Sequence, residues 1–335
     1  MKTVFRAVEE KDLDDIHQLA LNAGFGITTL SKKKRELSDR IKRSVASFSK
    51  TVTSPVDENY LFVLEDFNSK KIVGTSAIEA AVGHSLPFYA YRVSKISNIC
   101  HRLELRVNYQ VLNLNNDFQG MSEVGTLFLE PNYRVNKNGL LLSRARFLFM
   151  ALMPERFSHE VIAEMRGVSD NEGNSPFWHS FGRHFFNMSF AKADELSVLT
   201  DKQFISDLLP QHPVHVNLLS DAAQKAIGQP HKSTIPAMKI LEKEGFQSTS
   251  YVDVFDAGPA IKAKVSEIST IKNKQTFQVL ALVDALEGEE CFISNTKNQF
   301  RAINGMAAKK DKGVILLKND ANILNIDKGE YVQLI

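Results

Sequence analysis

The chain has 335 residues, of which 43% are hydrophobic and 24% charged. This usage is typical of globular proteins and excludes a wholly disordered chain. Lys and Arg number 41 against 39 Asp and Glu, and the formal net charge of +2 gives no general attraction to nucleic acid or to an anionic membrane. No run approaches the about 18 apolar residues of a spanning helix, and the charged N-terminus lacks the apolar core of a secretion signal. Since Cys100 and Cys291 make neither a disulfide framework nor a zinc site, we expect a reduced, cytoplasmic protein without a metal centre.

A short strand and two helices are predicted at the N-terminus. The strand covers residues 2–8, and the first helix runs from Leu13 to a stop at Gly24. Ser31 is placed to cap the second helix, in which apolar residues recur at helical spacing: Leu37, Ile41 and Val45.

The middle of the chain is predicted to contain strands separated by turns, followed by one long helix. The polar stretch 82–97 is assigned no regular element. A strand at 124–129 ends at Glu130-Pro131, and a helix from Gly139 to Met153 follows it. The other strands predicted here are 60–64, 72–78, 103–107 and 161–165.

Beyond residue 175 short helices alternate with strands, and the pattern changes near residue 265. Ser175 is an N-cap candidate followed by proline, and Gly245 ends a helix that leads into the strand 246–255. The predicted architecture is a mixed α/β region, residues 1–264, followed by a small β-rich domain, residues 265–335. Three short strands are predicted in that domain: 277–283, 314–317 and 331–335.

One turn favours the binding of an anion. The strand 124–129 leads through Tyr133-Arg134-Val135-Asn136-Lys137-Asn138-Gly139 into the long helix. A glycine-containing turn at a helix N-terminus presents backbone N–H groups and the positive end of the helix dipole, which suit a phosphate or pyrophosphate. Arg134 and Lys137 add positive charge. The alternative is an ordinary strand-to-helix turn with two solvated cations.

This turn resembles the Arg-x-x-Gly-x-Gly turn with which the GNAT superfamily of acyl-CoA-dependent N-acyltransferases grips the pyrophosphate of coenzyme A. Arg134 and Gly139 match the motif, and Lys137 replaces its middle glycine. A lysine there must keep φ negative or be strained by about 1 kcal/mol. The strings 177–186 and 240–246 are also similar to superfamily helix–strand units, so the region 1–264 is open to division into two GNAT-like units, 1–195 and 196–264.

Longer strings resemble the arginine N-succinyltransferase family over roughly residues 1–262. They include Ser76-Ala77-Ile78-Glu79-Ala80-Ala81-Val82-Gly83, Ala163-Glu164-Met165-Arg166-Gly167-Val168-Ser169-Asp170 and Asp253-Val254-Phe255-Asp256-Ala257-Gly258-Pro259. The resemblance implies a GNAT-like core that transfers a succinyl group from succinyl-CoA to the α-amino group of L-arginine in arginine catabolism. The products are N2-succinylarginine and CoA. Succinyl-CoA is then a co-substrate, and no cofactor is permanently bound.

The resemblance also implies roles for individual residues. Leu127 contacts succinyl-CoA, His231 is the proton donor, and Arg134, Asn138 and Gly139 belong to the pyrophosphate turn. A strand that splays from its neighbour leaves backbone groups for the pantetheine amides and the oxyanion, so we expect Leu127 to act through its main chain. The residues alone favour the ordinary interpretation, in which Leu127 is a plain strand residue and His231 a surface histidine in a turn.

Three glutamates, Glu79, Glu123 and Glu164, lie on or beside predicted strands. A buried carboxylate is costly unless it is paired, so each is a candidate base or a partner for the guanidinium group of arginine. The alternative is a carboxylate at the rim, bonded to a neighbouring cation. Arg166 pairs either with the succinyl carboxylate or with Glu164 under these hypotheses.

Two other functions remain open. One is a related N-acyltransferase with another acyl-CoA or amine. The other is a non-catalytic or regulatory subunit of a two-chain acyltransferase, with a coenzyme grip weakened at Lys137. The expected partners are therefore small-molecule substrates, not nucleic acid or membrane, and both a homo-oligomer and a hetero-oligomer stay open.

Overall fold

The computed structural model describes residues 2–23, 29–170, 172–199 and 203–335. The strands of these residues form one continuous sheet. Within these residues the strands are β1 (Thr3–Ala7), β2 (Asn59–Asp66), β3 (Ile72–Glu79), β4 (Ala90–Cys100), β5 (Leu105–Asn115), β6 (Ser122–Leu129), β7 (Glu160–Glu164), β8 (Val214–His215), β9 (Gln247–Val252), β10 (Pro259–Lys264), β11 (Gln275–Val283), β12 (Glu289–Asn295), β13 (Arg301–Lys310), β14 (Gly313–Leu317) and β15 (Tyr331–Leu334). The helices are α1 (Leu13–Asn22), α2 (Lys34–Ser49), α3 (Asn138–Leu152), α4 (Pro176–Ser180), α5 (Arg183–Phe186), α6 (Phe190–Leu199), α7 (Gln203–Leu208), α8 (Asp221–Ala226), α9 (Ile235–Lys243), α10 (Ser269–Asn273) and α11 (Lys318–Leu324). The predicted mixture of helices and strands is confirmed.

The centre of the sheet contains one parallel pair that separates after two residue pairs. The strand order is β12-β15-β11-β14-β13-β1-β2-β3-β6-β7-β10-β9-β4-β5-β8. β6 and β7 are parallel, and their register consists of Ser122 with Val161 and Glu123 with Ile162. The rest of β6, from Val124 to Leu129, runs on beyond this pairing. The sheet therefore opens between the carboxyl ends of β6 and β7.

Helices cover both faces of the sheet beside this opening. On one face α3 packs over strand residues that include Ile78, Val124 and Ala163. On the other face α1 and α2 pack over residues that include Ala77 and Phe128. Because side chains alternate along a strand, these two clusters fix which face each neighbouring residue occupies.

The N-terminal elements agree with the prediction except at one cap. Leu37 and Ile41 of α2 are buried as expected, but Ser31 does not cap the helix. The cap residue is Lys33, without a side-chain cap bond, and the Ser31 hydroxyl instead donates to Glu36 at 2.7 Å. The prediction that Ser31 caps this helix was wrong. Ser31 lies two residues before the cap position, and its hydroxyl is bonded to the Glu36 carboxylate. Gly24 lies outside the described residues.

A long hairpin, β4 with β5, begins in the stretch 82–97 that was assigned no strand, and β5 overlaps the predicted strand 103–107 in residues 105–107. The two strands pair over their full length, but β9 reaches β4 only at Tyr91 and Arg92, and β8 reaches β5 only at Val111 and Leu112. Most of the hairpin therefore projects past its neighbours and carries polar residues on both faces, which removes the alternation on which strand prediction depends. Apolar residues near its tip are exposed: Ile99, Leu103, Leu105 and Val107.

The C-terminal region shares both sheet and core with the rest of the chain. Its strands and α11 enclose an apolar cluster that also includes Val4 of β1, and β13 pairs with β1 through Phe5 and Ala302. Phe300 packs in the main cluster, where its ring lies 5.4 Å from that of Phe149 and 6.1 Å from that of Phe5. The sheet thus runs through the predicted boundary at residue 264, and the division into domains stays a prediction.

None of the helices in the described ranges combines the length and apolar character needed to cross a bilayer.

Replacement of Phe300 by alanine tests this shared core. We expect Phe300→Ala to lower the free energy of unfolding by about 3–5 kcal/mol, because a large cavity opens among Phe5, Phe62 and Phe149. The measurement is chemical denaturation followed by circular dichroism. Tyr331→Ala, at an exposed position of the same region, serves as the control. A loss no larger than that of the control would mean that Phe300 does not join the two parts.

Candidate active site

A β-bulge interrupts β6 where it separates from β7. The register with β3 passes from Ala77 and Gly125 to Thr75 and Phe128, so Thr126 and Leu127 together face one residue. Thr126 has a φ of 52°, in the left-handed region, and its carbonyl accepts a hydrogen bond from the Thr75 hydroxyl at 3.0 Å. A bulge of this kind disrupts the ladder and redirects backbone polar groups. Leu127 lies within it, and its side chain packs against the cluster under α3.

The turn between β6 and α3 adopts a strained backbone. Asn136 and Lys137 both lie in the left-handed region, with φ of 52° and 59°. Of the two alternatives for Lys137, a negative φ or a strained backbone, the structure therefore has the strained one, and the turn keeps the backbone that a glycine at this position would permit. The Lys137 ammonium forms an ion pair with Glu290 of β12, so this side chain bonds to the C-terminal region.

Asn138 holds the turn from inside. Its Oδ1 accepts from the Thr3 hydroxyl at 2.8 Å, and its Nδ2 donates to the Tyr133 carbonyl at 3.0 Å. Its backbone N–H also donates, to the Val135 carbonyl at 3.0 Å. The buried Asn138 thus uses its polar groups to close the turn and to tie it to Thr3 of β1, and its predicted place in a coenzyme site rests on shaping that turn.

The start of α3 has the form of an anion site. No side chain caps this helix within the described residues, and the first intrahelical bond runs from the Leu141 N–H to the Lys137 carbonyl. The N–H groups of Gly139 and Leu140 precede that bond and belong to the first turn, which carries the positive end of the dipole. Arg134 is exposed, and its Nε donates to the Leu129 carbonyl at 3.2 Å. These groups can bind a phosphate.

A cavity of about 460 Å³ lies on the opposite face of the sheet, beside α2. Among the described residues that line it, carboxylates outnumber guanidinium groups five to two. The carboxylates belong to Asp57, Glu79, Glu123, Glu164 and Asp253, and the guanidinium groups to Arg40 and Arg43. The structure therefore brings together all three glutamates singled out in the sequence. Such a cavity is suited to a cationic molecule.

Arg40 of α2 joins this cavity to the bulge, and sequence reasoning missed it. Its Nη2 lies 3.0 Å from the Thr126 hydroxyl and 3.3 Å from Glu79 Oε1, and its Nη1 donates to the Thr29 carbonyl. Burial lowers the pKa of Arg40, and the neighbouring Glu79 acts against this shift. The one signal in the sequence is that Arg40 directly precedes Ile41, an apolar residue on the buried face of α2.

His231 is tied to the carboxyl end of β7. Its backbone N–H donates to the Arg166 carbonyl at 2.7 Å. Its ring Nδ1 lies 2.7 Å from the Ser233 hydroxyl and accepts from the Ser233 N–H at 3.1 Å. Burial lowers the pKa of His231, and the Arg166 cation lowers it further. His231 does not line the cavity formed by the described residues, but Glu164, which does, is only two residues from Arg166.

A family model described as the arginine N-succinyltransferase beta subunit matches residues 3–270. The chain belongs to the arginine N-succinyltransferase family. It is an acyltransferase, as the sequence predicted. Relatives named arginine N-succinyltransferase from Yersinia pestis (strain Pestoides F) and Photorhabdus laumondii are 40% and 39% identical to it. These matches cover 98% and 99% of this chain and 96% and 97% of the relatives.

A solved structure extends the likeness of this arginine N-succinyltransferase family member over its full length. The structure of arginine/ornithine succinyltransferase subunit AI from Pseudomonas aeruginosa is 34% identical, with a TM-score of 0.91, and the match covers 100% of this chain and 98% of that one. The family model ends at residue 270, whereas this match includes the C-terminal strands. The C-terminal region is therefore shared with at least this relative.

Two variants of the turn test its part in coenzyme binding. We expect Gly139→Val to weaken binding of CoA about tenfold or more, because the side chain covers the N–H groups at the helix start. The fold should tolerate it, since a Cβ at Gly139 meets only Leu129 Cδ2, at 4.0 Å. Lys137→Gly relieves a left-handed lysine and should change the dissociation constant by less than about threefold. Isothermal titration calorimetry measures both constants, and equal, negligible effects would place the pyrophosphate elsewhere.

Proposed function

We propose that the protein transfers the succinyl group of succinyl-CoA to the α-amino group of L-arginine, releasing N2-succinylarginine and CoA. The observation that carries this proposal is the likeness, over 96–97% of their length, to proteins named arginine N-succinyltransferase. The anionic cavity supports a cationic acceptor. The uncapped start of α3 supports an anionic coenzyme.

The two substrates are proposed to meet at the bulge of β6, in a GNAT-like arrangement. The pyrophosphate binds the N–H groups of Gly139 and Leu140 with Arg134, in a turn shaped by Asn138. The pantetheine arm then enters the opening between β6 and β7, where backbone groups around Leu127 bind its amides and the thioester oxygen. Arg40, which contacts the adjacent Thr126, connects this point to the acceptor cavity on the other face.

The chemistry is acyl transfer through a tetrahedral intermediate. The neutral α-amine attacks the thioester carbonyl, a C–N bond forms, and the negative charge collects on the carbonyl oxygen near Leu127. Collapse of the intermediate breaks the C–S bond, and the thiolate takes a proton from His231 Nε2. The former amine nitrogen gives up one proton as the amide forms, and this proton restores the histidine. Ser233 supports both states of the ring, because its hydroxyl can accept from Nδ1–H and its N–H can donate to bare Nδ1.

Ornithine is the second candidate acceptor. The Pseudomonas aeruginosa relative is described as an arginine/ornithine succinyltransferase subunit, and ornithine carries an ammonium group where arginine has guanidinium. The same description names a subunit, as does the family model, so assembly with a second chain, of the same or another kind, is part of this proposal.

A substrate panel tests the proposed reaction. Thiol release is followed with succinyl-CoA or acetyl-CoA against arginine, ornithine, lysine and glutamate. We expect succinyl-CoA with arginine to give the highest kcat/KM. Five carboxylates of the described residues line the cavity, and a guanidinium group can donate two parallel hydrogen bonds to a carboxylate. A preference for acetyl-CoA, or for an amine without a guanidinium group, contradicts the proposal.

Replacement of the histidine tests the proton donor. We expect His231→Ala to lower kcat by about two orders of magnitude, the usual contribution of a positioned acid. The dissociation constant of succinyl-CoA should stay within about threefold, since the turn at α3 is untouched. The exposed His215, stacked on Tyr109, provides the control His215→Ala. Retention of most of the turnover in His231→Ala would assign the proton to another residue.

A further inference from the structure

Three glutamates lie on the same face of three neighbouring strands. Ile78 of β3, Val124 of β6 and Ala163 of β7 all point into the cluster under α3. Because side chains alternate along a strand, Glu79, Glu123 and Glu164 point the other way, toward α2. All three line the same cavity.

Two of these glutamates stand directly opposite each other. The register of β3 and β6 pairs Glu79 with Glu123, and like charges at such a position destabilise a sheet unless a cation joins them. Arg40 supplies part of that charge, since it is bonded to Glu79 and also interacts electrostatically with Glu123, while its Nη2 is shared with Thr126. Among the described residues that line the cavity, carboxylates still outnumber guanidinium groups five to two, which favours a further cation.

A buried amide holds Glu79 at the edge of the cavity. Asn59 is 0% exposed, and its Nδ2 donates to Glu79 Oε1. Its Oδ1 is buried without a hydrogen-bond donor among the described residues, so the surroundings of Glu79 are rich in acceptors and poor in donors. Together with the carboxylates that line the cavity, this favours a ligand that is positive and carries N–H donors.

We propose that Glu79 and Glu123 bind the guanidinium group of the acceptor and that this pair selects arginine over amines that end in a simple ammonium. The inference rests on the proposed function and names the residues that set its specificity. A guanidinium is planar and presents five N–H donors in a fixed fork, which matches two facing carboxylates, whereas an ammonium is a point charge. Arg40 is the positioning residue, since it holds Glu79 and contacts Thr126 beside the proposed acyl site.

The decisive comparison uses citrulline, in which a neutral urea replaces the guanidinium group with nearly the same shape. Wild-type protein should strongly prefer arginine to citrulline. The urea oxygen of citrulline is a hydrogen-bond acceptor, so it cannot bond to a carboxylate, which is also an acceptor. We expect Glu123→Gln to reduce the ratio of kcat/KM for arginine to that for citrulline at least about tenfold. The loss should appear mainly in KM for the amino acid, with the dissociation constant of succinyl-CoA unchanged within about twofold.

Two more variants secure the interpretation. Glu79→Gln should lower the same ratio, so that the conclusion does not depend on one substitution. Glu160→Gln is the matched control, because Glu160 lies on β7, on the same face as Glu164, but is paired with Lys262 at 3.0 Å outside the cavity. Its ratio should equal that of the wild type. An arginine-to-citrulline ratio that stays at the wild-type value in both Glu79→Gln and Glu123→Gln overturns the inference.

Calorimetry separates this inference from the proposed function. If wild-type protein binds arginine but transfers no succinyl group to it, the proposed function fails. The inference is still decided in that case by arginine binding itself, which should weaken at least about tenfold in Glu123→Gln and not in Glu160→Gln. If wild-type protein turns over arginine while both cavity variants retain its affinity and selectivity, the function stands and the guanidinium site lies elsewhere.

Discussion

The early separation of β6 from β7 is the constraint on which the rest of the site depends. Parallel strands normally stay paired and present their residues to the two covering layers. Here the pairing ends at Glu123, and the sheet then offers a bulge at Thr126 and Leu127, an open edge, and a turn into α3. Coenzyme and acceptor can therefore approach the same backbone from different faces. Every proposed contact, from Gly139 on one side to Glu123 on the other, is a consequence of this opening.

Two buried arginines show how the fold distinguishes structural charge from charge at the site. Arg6 bonds Asp12 through both terminal nitrogens at 2.8 Å and Glu65 through Nε at 2.8 Å. Burial lowers its pKa, but these two carboxylates more than reverse the effect, so the group is fully matched. For Arg40 burial prevails and the pKa is lowered. A buried cation held in an incompletely matched setting marks a place where further polar partners are expected.

Local patterns in the sequence predicted what depends on local structure, and long-range pairing decided the rest. The turn around Gly139 follows from a glycine after a strand, and the buried face of α2 follows from helical spacing. Strand β4 and most of β5 were missed because both faces of the projecting hairpin carry polar residues, and Ser31 failed as a cap because its hydroxyl is bonded to Glu36. Glu79, Glu123 and Glu164 were recognised singly, but only the strand order β3-β6-β7 makes them one surface.

The C-terminal strands support the left-handed lysine in the turn before α3. A left-handed lysine costs about 1–3 kcal/mol and persists only where its surroundings fix it. The surroundings here are β12 and β13, because Glu290 pairs with Lys137 and Asn304 donates both to Glu290 at 2.7 Å and to the Asn136 carbonyl at 3.4 Å. The β-rich region thus supports the turn that is proposed to bind the coenzyme, and the sequence departs from the GNAT motif that it resembles at the residue that this support reaches.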